Sequence, residues 1–115
     1  MKKIAYSDIQ NWGLPPAHYN MRSARLQGKA ETGLESFWCA ISEYEPGGGM
    51  EWSGEDSPEE KVYIVVEGEL TIKGTDEEII LGPNDSLYIG PNEGRSVVNN
   101  GKETATLLVV VNVIK

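Results

Sequence analysis

From about residue 33 onward, short β-branched and aromatic runs alternate with glycine, proline and asparagine, and that cadence favours an all-β fold. Residues 36–45 carry Phe37, Trp38, Ile41 and Tyr44 and stop at Pro46 and three glycines. Residues 61–66 and 69–73 follow, with Gly68 at the corner between them, and 78–81, 86–89, 95–99 and 104–114 complete the set. Runs spaced by roughly 8–12 residues predict a sandwich or barrel. In Leu81-Gly82-Pro83-Asn84-Asp85, Pro83 suits the second position of a type II turn, and Asn84 falls where φ must be positive. Asn92 is expected to take a positive φ as well. Residues 1–32 are polar and broken by Gly13-Leu14-Pro15-Pro16, where two prolines oppose ladder pairing. They predict an irregular N-terminal arm packed on the barrel or on a partner subunit, with the barrel itself over 33–115.

Charge narrows the partners. Ten basic residues against 18 acidic ones give a formal charge of −8. That balance opposes nucleic acid, whose phosphates need a basic surface, and anionic membranes likewise. No apolar run approaches the roughly 18 residues of a membrane-spanning helix. The start, Met1-Lys2-Lys3-Ile4-Ala5, lacks the apolar stretch of a secretory signal. A single cysteine, Cys39, excludes an internal disulfide and fits a reducing compartment. A cytoplasmic protein with a small-molecule ligand is the expectation.

Two stretches carry a family resemblance. Pro46-Gly47-Gly48-Gly49, then Glu59-Glu60-Lys61-Val62-Tyr63-Ile64-Val65-Val66-Glu67-Gly68-Glu69-Leu70, resembles the first signature of the cupin superfamily. Leu81-Gly82-Pro83-Asn84-Asp85-Ser86-Leu87-Tyr88-Ile89, followed by residues 95–99, is similar to the second. The resemblance covers about residues 33–112. It implies a cupin-type double-stranded antiparallel β-barrel, or jelly roll, whose motif strands turn their ligand-bearing faces inward. Both faces of residues 61–66 and 107–113 are apolar, which calls for a second covering layer, and a homodimer would supply it. Light scattering at micromolar concentration should therefore report a dimer; a monomer throughout that range would remove the expectation.

The resemblance also implies a divalent metal, held by two histidines and a glutamate of the first motif and a histidine of the second. Here those positions hold Glu55 and Ser57 (Gly54 and Asp56 if the spacing slips by one), Lys61, and Arg95. The only histidine, His18, lies in the arm. Two ligand positions have become cations, and arginine is permanently protonated. An oxygen-only site built from Glu51, Glu55, Asp56 and Asn99 would have to sit beside both. Neither a metal nor any other cofactor is expected.

Strand alternation places Lys61, Tyr63 and Val65 on one face. The resemblance implies that this face looks into the barrel, where Arg95 joins it and Val97 and Asn99 continue the second strand. Lone buried cations are costly, so Lys61 and Arg95 need partners. Either Glu51, Glu55 or Glu60 pairs with them and fills the barrel, or an anionic ligand does. Arginine's fork matches a carboxylate bidentately, and lysine adds a point charge. The expected function is metal-independent binding of a small carboxylate-bearing molecule by Lys61, Tyr63, Arg95, Trp52 and Asn99. A second reading is a metal-free isomerase or lyase, with Lys61, Glu51, Glu55, Tyr63 and His18 as candidate acid-base groups. A metal-dependent enzyme using oxygen ligands, or an assembly module with a filled barrel, comes behind both. Trp38, Tyr44, Met50 and Trp52 are either pocket lining or core.

Overall fold

The computed structural model describes residues 1–115 and is built almost wholly of antiparallel strands. The organising element is β2 (Phe37–Ser53), which belongs to two sheets. Its first half lies between β1 (His18–Gln27) and β8 (Ala105–Asn112), and its second half pairs with β7 (Arg95–Val98). One sheet runs β1-β2-β8-β3-β6, with β3 (Lys61–Glu67) between β8 and β6 (Ser86–Ile89). The other runs β2-β7-β4-β5, with β4 (Leu70–Lys73) and β5 (Glu78–Leu81) outermost. The two sheets face each other as the halves of a jelly-roll barrel. No helix is long and apolar enough to cross a membrane.

Two local expectations needed correction. Pro46 and the three glycines do not end the strand; β2 continues through them and changes sheet there. Neighbouring backbone is the reason. A Cβ on Gly48 would run into the Asn20 carbonyl, and one on Gly49 into the Val97 carbonyl, so β2 can cross only without side chains. The arm, in turn, is irregular only as far as Ala17. His18–Gln27 form β1, whose pattern of Met21, Ser23 and Arg25 on one face carries too little apolar signal to announce a strand. It forms because β2 offers an unpaired edge along residues 39–50. Upstream, a backbone pair between Gly13 and Ser23 closes β1's other edge, and Tyr6 anchors the arm by donating to Glu43 at 2.5 Å.

The turns follow their residues. Asn84 and Asn92 sit at φ 68° and 58°. The Asp85 N–H donates to the Gly82 carbonyl at 3.0 Å and closes the Pro83-Asn84 turn.

Register explains where the core ends and the cavity begins. Across the first sheet, the inward rows are Tyr44 opposite Ala105, then Ser42–Leu107–Val65, Ala40–Val109–Tyr63–Leu87 and Trp38–Val111–Lys61–Ile89. The first rows pack against Leu70, Ile72 and Val97 of the second sheet; Val65 and Leu70 are 0% exposed. Each such side chain contributes about 1.5–3 kcal/mol. The later rows bring in small Ala40 and the polar groups of Tyr63 and Lys61 among apolar neighbours, and there the sheets enclose space.

Candidate functional site

The barrel encloses a cavity of about 190 Å³, walled by Lys61, Tyr63, Arg95, Ser42 and Tyr44 and covered by the arm at Pro15 and His18. Arg95 opens β7 opposite Ser53 of β2, and Gly54 just beyond leaves space for its guanidinium. It is 7% exposed. Its Nε and Nη2 donate to the Tyr63 hydroxyl at 3.1 and 2.8 Å, and Nη1 reaches the Glu93 carbonyl at 3.4 Å. Arginine has five N–H groups, so two are left without a protein acceptor. The Tyr63 hydroxyl accepts twice and donates to nothing in the protein. Lys61, two residues before Tyr63 on the same strand face, donates to Ser57 Oγ at 2.6 Å, and Ser57 in turn donates to Glu59. Burial pushes the Lys61 ammonium below the usual lysine range, the Arg95 charge pushes it further, and Glu59 opposes both.

Neither cation has a carboxylate within ion-pairing reach. The single ion pair of the chain is Arg22–Glu43, on the outer surface. The three carboxylates that could have neutralised the cavity are turned elsewhere. Glu51 is exposed, Glu55 accepts from the Trp52 indole N–H, and Glu60 accepts from the Tyr88 hydroxyl at 2.6 Å. A barrel filled by internal salt bridges is not what forms.

The cavity unites some of the expected site residues and not others. Lys61, Tyr63, Arg95 and His18 line it. Trp52 is 43% exposed and lies outside, because the register of β2 against β7 slips between Met50 and Ser53. Asn99 is 1% exposed but committed: its amide donates to the Tyr44 and Glu103 carbonyls and accepts from the Gly101 N–H. It holds the β7–β8 turn. Ser42 and Ser23, hydrogen-bonded to each other at 3.0 Å across β2 and β1, form a polar wall that the sequence reading missed. Counting back from Tyr44 in steps of two would have found Ser42; Ser23 depends on recognising β1.

His18 reaches the cavity from the start of β1. Its Nδ1 lies 2.8 Å from the Pro16 carbonyl. A carbonyl only accepts, so Nδ1 carries the proton and neutral His18 presents Nε2 as a bare acceptor. The ring stacks on Tyr44, with centroids 6.3 Å apart. Burial lowers the imidazole pKa below its ordinary 6.5; the Pro16 bond opposes this and the Arg95 charge adds to it. The unfolded chain therefore holds more protons than the native one in the window just below 6.5, so stability falls as pH drops through that window. In urea denaturation between about pH 5 and 7, His18→Gln should flatten this part of the profile. An unchanged slope would place the imidazole in an ordinary, solvated environment.

A resident metal does not suit these residues. No group of three or more histidine, cysteine or acidic side chains is gathered anywhere in the chain. The ligand positions implied by the motifs are filled by Glu55, which stands outside the cavity and accepts from Trp52, by Ser57, which is bonded to Lys61, by Lys61 itself and by Arg95.

Comparison with known proteins agrees with this architecture. Residues 40–111 match the family model described as Cupin domain. A β-D-galactosidase of Mycobacterium tuberculosis is 40% identical over 98 residues, which span 84% of this chain and 81% of that protein. Among solved structures, the polyketide cyclase RemF of Streptomyces resistomycificus superposes with a TM-score of 0.85 at 21% identity, over 97% of this chain and 79% of that one. A predicted oxalate decarboxylase of Thermotoga maritima gives 0.83 at 16% identity, over 98% and 100%. At those identities the two structures speak for the fold alone.

Proposed function

The chain belongs to the cupin family, and we propose that this member binds a small organic anion, most simply a carboxylate, in its barrel without a resident metal. One observation carries the reading: Arg95 and Lys61 both line the cavity, Arg95 is 7% exposed, and neither has a carboxylate within ion-pairing distance, Glu59 reaching Lys61 only through Ser57. An uncompensated buried charge costs several kcal/mol. A ligand carboxylate would offset that cost, accepting from the two free guanidinium N–H groups and from the Lys61 ammonium. The unused Tyr63 O–H supplies a further donor. A second copy of the chain, packed on the half-buried outer residues Val62, Ile64, Leu108 and Val110, completes the proposed assembly.

Metal-free acid-base chemistry at the same cavity is the second reading. The bare Nε2 of His18 favours it, and the galactosidase relative favours a catalytic role without favouring this chemistry. Most glycosidases work with two carboxylic acids flanking the bond, and no aspartate or glutamate lines this cavity. The wall therefore suits isomerase or lyase chemistry, with His18 moving a proton and Lys61 and Arg95 stabilising negative charge. Glu51 and Glu55 stand outside it.

Thermal denaturation in the presence of small carboxylates tests the binding reading, because a ligand of the native state alone raises Tm. Carboxylates should raise Tm where the matching neutral amides do not, before and after dialysis against a chelator. Loss of stability on chelation, or about one transition-metal ion per chain by elemental analysis, would overturn metal independence.

A further inference from the structure

The concave face that carries Lys61 does not stop at the cavity. Moving outward along the same sheet, the register runs from Lys61 on β3 to Val111 on β8 and Trp38 on β2. Beyond β2 lies β1, where Arg25 stands opposite Ala40 and so shares the inward face. Its guanidinium lies 4.7 Å over the Trp38 ring, and Trp38 itself lines the barrel cavity. On their outer side, Arg25 and Trp38 form one wall of an open cleft of about 330 Å³, with Lys29 and Lys115 against a single acid, Glu35. In a chain of net charge −8 this is a locally basic place. Arg25 has no ion-pair partner; Glu31 packs with the arginine stem around Gly28 without pairing with it.

We propose that Arg25 and Trp38 form an outer subsite continuous with the cavity, and that the ligand is an elongated organic dianion. One acidic group sits between Arg95 and Lys61, an apolar or ring-bearing spacer crosses Val111 and Trp38, and the second acidic group meets Arg25. The inference rests on the cavity being an anion site. The span follows from the strands: β3 and β1 are three inter-strand spacings apart, about 14 Å between backbones. Side chains leaning inward from either end shorten that distance. A flat indole, covered on one face by a guanidinium, offers a ring or hydrocarbon spacer a rigid surface to lie against.

Calorimetric titration of the whole chain with straight-chain diacids, from butanedioate to tetradecanedioate, against monoacids of equal length is the test. Affinity for the diacids should pass through an optimum within the series. At the optimum, the diacid should bind roughly fivefold tighter than its monoacid, as a partly exposed ion pair provides. Arg25 is exposed at a sheet edge, so Arg25→Gln should fold normally. It should erase the diacid advantage and leave monoacid binding within about twofold. Diacids that bind no better than monoacids at any length, or an Arg25→Gln effect equal on both, would overturn the outer subsite and leave the cavity reading intact. If no acid of either series binds, the cavity reading falls and takes the outer subsite with it.

Discussion

Arg95→Met is expected to leave the unliganded protein within about 1 kcal/mol of the parent, or to stabilise it, because a buried cation without a counter-charge is replaced by an apolar side chain of similar length. The same change should weaken carboxylate binding by about 2–5 kcal/mol, at least thirtyfold. The two halves belong together. If Arg95 balanced a buried carboxylate, its removal would strand that charge and cost about 3–5 kcal/mol. Instead its contacts are the Tyr63 hydroxyl and the Glu93 carbonyl, and Tyr63 keeps its own proton to donate. Arg95 also depresses the pKa of both Lys61 and His18, so its loss should move each back toward its ordinary value. Urea denaturation and calorimetry on the two proteins read both effects. A strongly destabilised variant would point to an acidic partner for Arg95.

Gly68→Ala should be a strongly damaging single-methyl change near the site, costing about 2–5 kcal/mol in urea denaturation. Gly68 turns the chain from β3 into β4 at φ 75°, a conformation worth roughly 1–2 kcal/mol against any residue with a Cβ. Space is lacking as well. The added carbon would lie 2.8 Å from the Ala105 Cα and from the Thr104 carbonyl, both backbone atoms that move only if β8 moves, and overpacking of that kind adds about 1–3 kcal/mol. Asn84→Gly, at φ 68°, is the control and should change stability by no more than about 0.5 kcal/mol. A tolerated Gly68→Ala would show that the turn can open without disturbing β8.

Much of this fold is legible in the sequence because its strands obey local rules. β3 and β7 are short and rich in valine, β6 pairs a tyrosine with an isoleucine, and all three are bounded by residues whose preferred φ the turns require, as Asn84 and Asn92 bear out. What escapes is whatever depends on a neighbour. The passage of β2 through Pro46 to Gly49 is set by Asn20 and Val97 backbone, far away in the chain. β1 is a strand because an edge was free, not because its residues prefer one. The site divides in the same way. Alternation and motif position bring Lys61, Tyr63 and Arg95 together. Nothing local tells Trp52 that a register slip will turn it outward, or that Asn99 will spend its amide on a turn. The absence of an acidic partner is also invisible beforehand, since Glu51, Glu55 and Glu60 all stand close in sequence to the cations. Only the fold assigns Glu55 to Trp52 and Glu60 to Tyr88.

The central claim is that Arg95 and Lys61 face the cavity in wait for an anion, and the most direct measurement is side-chain NMR of the arginine Nε–Hε groups during titration with a small carboxylate. The resonance of Arg95, the one buried guanidinium of the three in the chain, should shift saturably, vanish from the spectrum of Arg95→Met, and stay still when the matching amide is added. Shifts confined to exposed arginines such as Arg22, with the Arg95 resonance unmoved at saturating carboxylate, would contradict it.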